Sequence, residues 1–88
     1  MEIFKYRDID DNDITLEIDI NLLRAVEKAT TYNYKWEVVS RNKIVGWRTA
    51  KNKRKFFNIL RNNIGNMSEE TNKKYQEFIN KLENKYKE

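Results

Sequence analysis

Hydrophobic and polar positions alternate in two stretches of the first twenty residues, which is typical of β-strands rather than helices. A first strand is predicted at residues 2–7, with Phe4 and Tyr6 on one face. The short polar side chains of Asp8–Asp13 favour a turn after it. A second strand is predicted at residues 14–20, and the two are expected to form an antiparallel hairpin. The apolar positions of this second strand are Ile14, Leu16, Ile18 and Ile20.

The spacing of the apolar residues changes after Ile20 and favours a helix that ends near Tyr32. Asp19 or Asn21 can cap the start of this helix, because a short polar side chain can accept a hydrogen bond from a first-turn amide. Its apolar face consists of Leu22, Leu23, Val26 and Ala29.

Alternation returns in the next segment and predicts a second pair of strands. The third strand is predicted at residues 34–39 and carries Tyr34, Trp36 and Val38 on one face. Ser40–Lys43 is expected to be a four-residue hairpin loop. The returning strand is predicted at Ile44–Arg48, where a glycine indicates a bulge or a close backbone approach.

A second helix is predicted to follow, with Thr49 as its N-cap. Gly65 stands where a left-handed C-cap residue belongs. One arc of the helical wheel is apolar and the opposite arc is basic and amide-rich. The apolar arc consists of Phe56, Phe57, Leu60 and Ile64.

Ser68 is predicted to cap a third helix, with two acids placed favourably in its first turn. A narrow apolar stripe runs along this helix and is expected to pack on the domain's own core, with Tyr86 at the rim. Leaving such large side chains exposed would cost more than a small domain can spare. The stripe consists of Tyr75, Phe78, Ile79, Leu82 and Tyr86.

These elements predict an α+β fold in the order ββαββαα, with a small antiparallel sheet of about four strands and three helices. The 88 residues are expected to form a single compact domain, residues 1–88. The chain has two glycines and no proline, which favours a compact structure over linkers and tails.

Charge is strongly segregated along the chain. The first twenty residues contain seven acids and two bases, whereas residues 41–67 contain eight Lys or Arg and no Asp or Glu. The net charge of +4 conceals this separation. Segregated charge creates local fields, and local fields select binding partners.

Composition excludes several classes of chemistry. The chain has no Cys and no His, which removes disulfides, thiolate or imidazole metal sites, and Ser–His or Cys–His nucleophiles. Asp8, Asp10 and Asn12 match the start of a calcium-binding loop, but Asp13 stands where that loop needs glycine. A metal-dependent nuclease built on Asp13, Glu17 and Asp19 is also disfavoured, since these acids fall on or beside an exposed strand face. We therefore predict neither an enzyme nor a cofactor, and we expect a cytoplasmic protein without a membrane span.

The basic segment gives the strongest functional prediction: a face that binds nucleic acid or another polyanion. Lys and Arg contact phosphates, Asn can bond phosphates or base edges, and a tryptophan can stack on bases. The predicted contacts lie on the hairpin loop, the returning strand and one face of the second helix. They are Arg41, Lys43, Trp47, Arg48, Lys51, Arg54, Lys55, Asn58 and Arg61.

The charge pattern is also compatible with other functions. A charged helix face also serves solubility, and an acidic protein surface is a second kind of partner for the same bases. The chain also has the form of a phage- or mobile-element-type inhibitor or adaptor that docks on a host nucleic-acid-handling protein, such as an RNA-guided nuclease. In that case the acidic N-terminal hairpin would mimic phosphates. The apolar stripe of the last helix allows either a monomer or a homodimer.

Thr49–Asn52 followed by Phe56 and Leu60 resembles the start of the last helix in double-stranded-RNA-binding domains. That family has one helix, three strands and a second helix, which is not the order predicted here. The small residues that the family places next are replaced by Lys53–Lys55. We therefore assign the chain to no family.

Overall fold

The computed structural model describes residues 1–32, 35, 38–45 and 52–86, with the backbone alone for residues 31, 32 and 38–45. Four strands form one antiparallel sheet in chain order, and two helices follow. The strands are Glu2–Arg7 (β1), Asp13–Asp19 (β2), Arg24–Tyr32 (β3) and Val38–Val45 (β4); the helices are Lys53–Asn62 (α1) and Glu69–Lys85 (α2).

The α+β class and the antiparallel sheet are confirmed, but the predicted order is wrong. The described residues follow the order ββββαα and contain two helices rather than three. The first hairpin is correct: β1 has the predicted bounds, β2 begins and ends one residue earlier than predicted, and the two pair with Phe4 opposite Leu16. The differences begin after Ile20.

The helix predicted to end near Tyr32 is instead strand β3. The Asp19 carboxylate accepts a hydrogen bond from the Leu22 amide at 3.1 Å, but it closes a turn rather than capping a helix. Leu23 then takes a left-handed conformation with φ of 49°, so the chain reverses direction. It returns along β2, where Ala25 pairs with Ile18.

The predicted hairpin loop Ser40–Lys43 is also wrong, because these residues lie in the middle of β4. This strand is at the edge of the sheet, where charged and polar side chains are common because they discourage pairing with other chains. Of the predicted third strand, only residues 38 and 39 lie in a described strand. Gly46, Trp47, Arg48 and Thr49 lie outside the described residues.

The core lies between one face of the sheet and the two helices. Leu16 and Ile18 of the central strand β2 are almost fully buried, and Ala25 beside them is completely so. The small alanine side chain leaves room for the aromatic residues of the helices. The helices contribute Phe56, Phe57, Leu60, Tyr75, Ile79 and Leu82 to this core.

The apolar stripe of α2 packs as predicted. Tyr75 and Ile79 are completely buried and Leu82 nearly so, while Phe78 and Tyr86 are partly buried at the margin. The Tyr75 ring lies 5.3 Å from the ring of Phe4 on β1. The stripe is therefore covered within the chain itself.

Polar caps fix where each helix begins. The Asn52 side chain accepts a hydrogen bond from the Lys55 amide at 2.9 Å, so α1 begins later than a Thr49 cap predicted. Ser68 caps α2 as predicted. Gly65 has the predicted left-handed φ, at 51°, but it lies in the connection after the α1 C-cap Asn63.

Candidate nucleic-acid interface

Helix α1 presents a basic outer face opposite its buried aromatic residues. Arg54, Lys55 and Asn58 are all exposed, and they lie within one turn of one another. No other described side chain forms a hydrogen bond or ion pair with the Arg54 guanidinium or the Lys55 ammonium. We call these three residues the α1 basic face. Three of the predicted contact residues are thus brought together.

The first turn of α1 concentrates positive charge. Lys53, Arg54 and Lys55 follow the cap directly, and the turn contains no acid. The amides of a first helical turn carry partial positive charge, so cations there are in an unfavourable field. A bound anion would relieve this repulsion, because it would meet both the side-chain charges and the helix end.

A cavity of about 720 Å³ lies beside this helix end. Its walls come from the β2–β3 turn, the start of α1 and the end of α2, and they include Leu23, Phe57 and Tyr86. Lys53 and Arg54 are the cationic residues that line it. The β2–β3 turn and both of these helix termini therefore lie at the same end of the domain.

Arg61 has a different environment from the α1 basic face. Its side chain is about three-quarters buried and forms an ion pair with Glu83 of α2. It also donates hydrogen bonds to Asn80 at 3.1 Å and to Asn58 at 2.9 Å. Arg61 thus bridges the two helices, a role that the helical wheel of α1 alone did not predict.

Of the remaining predicted contact residues, the structure describes the backbone of two. Arg41 pairs in register with Ala29, and Lys43 pairs with Glu27, so both lie in cross-strand rows that continue from the buried residues of β2. Trp47, Arg48 and Lys51 lie outside the described residues. The structure therefore groups Arg54, Lys55 and Asn58 on the exposed face of α1, holds Arg61 between the two helices, and leaves the other predicted contacts apart or undescribed.

The acidic β1–β2 turn is held by its own contacts. Asp8 accepts hydrogen bonds from the amides of Asp10 and Asn12 at 3.0 and 2.8 Å. Arg7 lies 3.5 Å from Asp11 and 3.3 Å from Asp13. These contacts stabilise the turn and partly neutralise its carboxylates.

The acidic turn and the first turn of α1 are at opposite ends of the domain. Asn66, in the connection after α1, donates a hydrogen bond to Asp10 at 3.1 Å, and Ile9 donates its amide to the Asn66 carbonyl at 2.9 Å. These contacts place the C-terminal end of α1 at the acidic turn. Ten helical residues separate the two ends by roughly 15 Å.

A third charged cluster joins the ends of the described chain. Glu2 of β1 accepts hydrogen bonds from Lys85 at 2.9 Å and from the Tyr86 hydroxyl at 3.0 Å. These bonds, from Lys85 first and Tyr86 second, lower the pKa of the Glu2 carboxyl. The cluster attaches α2 to the edge of the sheet and is structural.

Nothing in the described ranges assembles a metal centre: they contain no group of three or more acidic side chains close enough to hold an ion. The acids considered for a nuclease have other contacts. Asp13 pairs with Arg7, and Glu17 pairs with Lys28 at 2.6 Å. Asp19 accepts the turn hydrogen bond from Leu22.

Comparison with known proteins finds no matching family model, no similar curated protein and no similar solved structure. Of the helices in the described part of the chain, none is both long enough and apolar enough to cross a bilayer.

Proposed function

We propose that the protein is a small non-enzymatic binding protein that uses the α1 basic face to bind nucleic acid. One observation carries this proposal: Arg54 and Lys55 are exposed at the positive end of a helix that has no carboxylate anywhere along it. A phosphate backbone offers closely spaced anions to such a surface. Asn58, beside the two cations, adds a hydrogen-bonding group.

Helix α2 provides an internal comparison for the alternative that the charge serves only solubility. It carries four acids and four bases over its 17 residues. A solvated helix in this protein thus mixes both signs, as soluble surfaces commonly do. Helix α1 departs from that pattern, and the departure favours an anionic partner.

The experiment compares two double charge reversals with the same change in net charge. Arg54→Glu with Lys55→Glu alters the α1 basic face, and Lys73→Glu with Lys81→Glu alters exposed positions on α2. Binding to a fluorescent duplex DNA and a duplex RNA is measured between about 50 and 200 mM salt. A melting curve for each variant confirms that it is folded.

The α1 variant is expected to lose binding to both duplexes, while the α2 variant retains most of it. If each cation neutralises one phosphate, neutralising both by Arg54→Gln and Lys55→Gln reduces the salt slope by about two. Equal effects of the α1 and α2 reversals would show that net charge alone drives the interaction. Absence of salt-dependent binding by the wild-type protein would refute the proposal.

The separation of the acidic turn from the basic first turn of α1 favours a second candidate, an inhibitor or adaptor that docks on a nucleic-acid-handling protein. The acidic turn would then occupy a basic groove while α1 meets an acidic rim. Purification from host lysate after nuclease treatment distinguishes the two. A stoichiometric protein partner that is lost on Asp10→Asn with Asp11→Asn supports the second candidate, and loss of every partner supports the first.

A further inference from the structure

Arg61 holds two asparagine side chains, one from each helix. Its Nε donates to Oδ1 of Asn80 at 3.1 Å, and its Nη1 donates to Oδ1 of Asn58 at 2.9 Å. Its Nη2 contacts the Glu83 carboxylate. An arginine side chain has only hydrogen-bond donors, so the atoms of both amides that face it must be oxygens.

This constraint fixes the other half of each amide group. Since the oxygens face Arg61, the NH2 groups of Asn58 and Asn80 point away from the guanidinium. Both side chains are exposed at the outer surface of the helix pair. Two uncharged donor groups that have no acceptor among the described residues therefore belong to exposed residues flanking Arg61.

Further contacts restrain the backbone and the side chain of Arg61. Gln76 of α2 donates a hydrogen bond to the Arg61 carbonyl at 2.9 Å, and Glu83 fixes the guanidinium. Contacts to both helices leave Arg61 little freedom to turn outward. Prearranged donors bind an acceptor with less loss of side-chain entropy than mobile ones.

We propose that Asn58 and Asn80 together form an uncharged phosphate contact, and that Arg61 is the positioning residue that aims them. This inference rests on the proposed function and deepens it. The partner's recognised atoms are the non-bridging oxygens of a phosphodiester backbone. Arg61 itself does not neutralise a phosphate, which revises the direct contact that the sequence predicts for it.

Phosphate is favoured over base edges because of the orientation of the amides. An asparagine that reads adenine needs its oxygen as an acceptor and its NH2 as a donor at the same time. Here each oxygen already accepts a hydrogen bond from Arg61, whereas no described residue accepts one from either NH2 group, so the unsatisfied groups are donors. Donors alone suit phosphate oxygens, which are acceptors at every position of the backbone.

The test uses Asn58→Ala, Asn80→Ala and Arg61→Lys, with Asn62→Ala as the matched control. Asn62 is exposed on α1 next to Arg61 but forms no hydrogen bond to it. Affinity for duplexes of several base compositions is measured across a salt series. Melting curves establish that the exposed asparagine variants remain folded, so the test does not depend on Arg61→Lys alone.

Asn58→Ala and Asn80→Ala are each expected to weaken binding about tenfold for every duplex, the loss expected for one hydrogen bond to a charged group. The salt slope is expected to stay unchanged, because no cation is removed. Arg61→Lys keeps the charge but cannot hold both amides, so it weakens binding similarly. It adds little when both asparagines are already alanine.

Three outcomes would overturn the inference while leaving the proposed function intact. The first is a loss for Asn58→Ala no larger than that for Asn62→Ala. The second is a loss confined to one base composition, which indicates base reading. The third is an Arg61→Gln variant whose salt slope falls by about one, which identifies Arg61 as a direct phosphate contact. Failure of the proposed function itself is distinct, since the wild-type protein then binds no duplex.

Discussion

Replacing Tyr75 by phenylalanine isolates a single buried hydrogen bond in the core. The Tyr75 side chain is completely buried, and its hydroxyl donates to the backbone carbonyl of Leu60 at the end of α1. Phenylalanine keeps the ring and its contact with Phe4. The substitution therefore removes one hydroxyl and almost nothing else.

The expected loss of stability follows from what remains at Leu60. Its carbonyl also accepts a hydrogen bond from the Asn63 amide at 3.1 Å, so it is not left wholly unsatisfied. The expected cost is then the net value of one hydrogen bond, about 1 kcal/mol, and not the larger penalty of an orphaned group. For a domain of this size that loss lowers Tm by about 4–8 °C.

Urea unfolding and thermal melts followed by circular dichroism measure the change. Tyr86→Phe is the matched control, since it removes a hydroxyl at the C-cap of α2, where the partner Glu2 keeps its hydrogen bond from Lys85. Tyr75→Phe is expected to cost clearly more than Tyr86→Phe. Equal stability of Tyr75→Phe and the wild-type protein would refute the argument that the buried hydroxyl stabilises the junction of α1 and α2.

Three further predictions concern the fold and the α1 end. Burial raises the pKa of Tyr6 to about 12 and also raises the pKa of Tyr75. Because the folded state holds these hydroxyls in the neutral form, their contribution to the free energy of unfolding is fully present below pH 10 and is lost as the pH rises from 10 towards 12. Tyr6→Phe is expected to reduce this loss of stability in urea titrations at increasing pH, and an unchanged loss would contradict the prediction. Deletion of residues 74–88 removes Tyr75, Ile79 and Leu82 and is expected to abolish the cooperative melt; a truncated chain that melts cooperatively but changes from dimer to monomer would show that α2 is an assembly surface. Asn52→Asp places a carboxylate at the helix N-terminus and is expected to raise stability by about 0.3–1 kcal/mol while weakening nucleic-acid binding; urea midpoints and affinities that move in the same direction would contradict this.

Strand periodicity predicted the first hairpin because its inner positions are large aliphatic or aromatic residues that alternate with mostly polar ones within each strand. Periodicity failed at β3, because Val26 and Ala29, with Leu22 just before the strand, fit a helical face, while Ala25 fits a strand face equally well. A short segment of small and mixed residues satisfies both periods. Pairing with β2 decided between them, and that pairing is a tertiary interaction that local propensity does not contain.

The interface shows a similar division between local and tertiary information. Exposure of Arg54, Lys55 and Asn58 follows from the helical wheel of α1, since their positions oppose Phe56 and Leu60. The environment of Arg61 does not follow, because Glu83 lies 22 residues further along the chain. Only the packing of α1 against α2 brings Arg61 and Glu83 together, and the same packing identifies Asn80, which no pattern in the sequence singles out.

The attachment of α2 to β1 has a consequence for the order of folding. Each strand of the sheet pairs with its neighbour in sequence, so the sheet can grow by short loop closures. The hydrogen bond between Glu2 and Tyr86 spans 84 residues and closes a loop over nearly the whole described chain. We expect it to form after the rate-limiting step of folding. Changes to this contact would then alter the unfolding rate and leave the folding rate nearly constant.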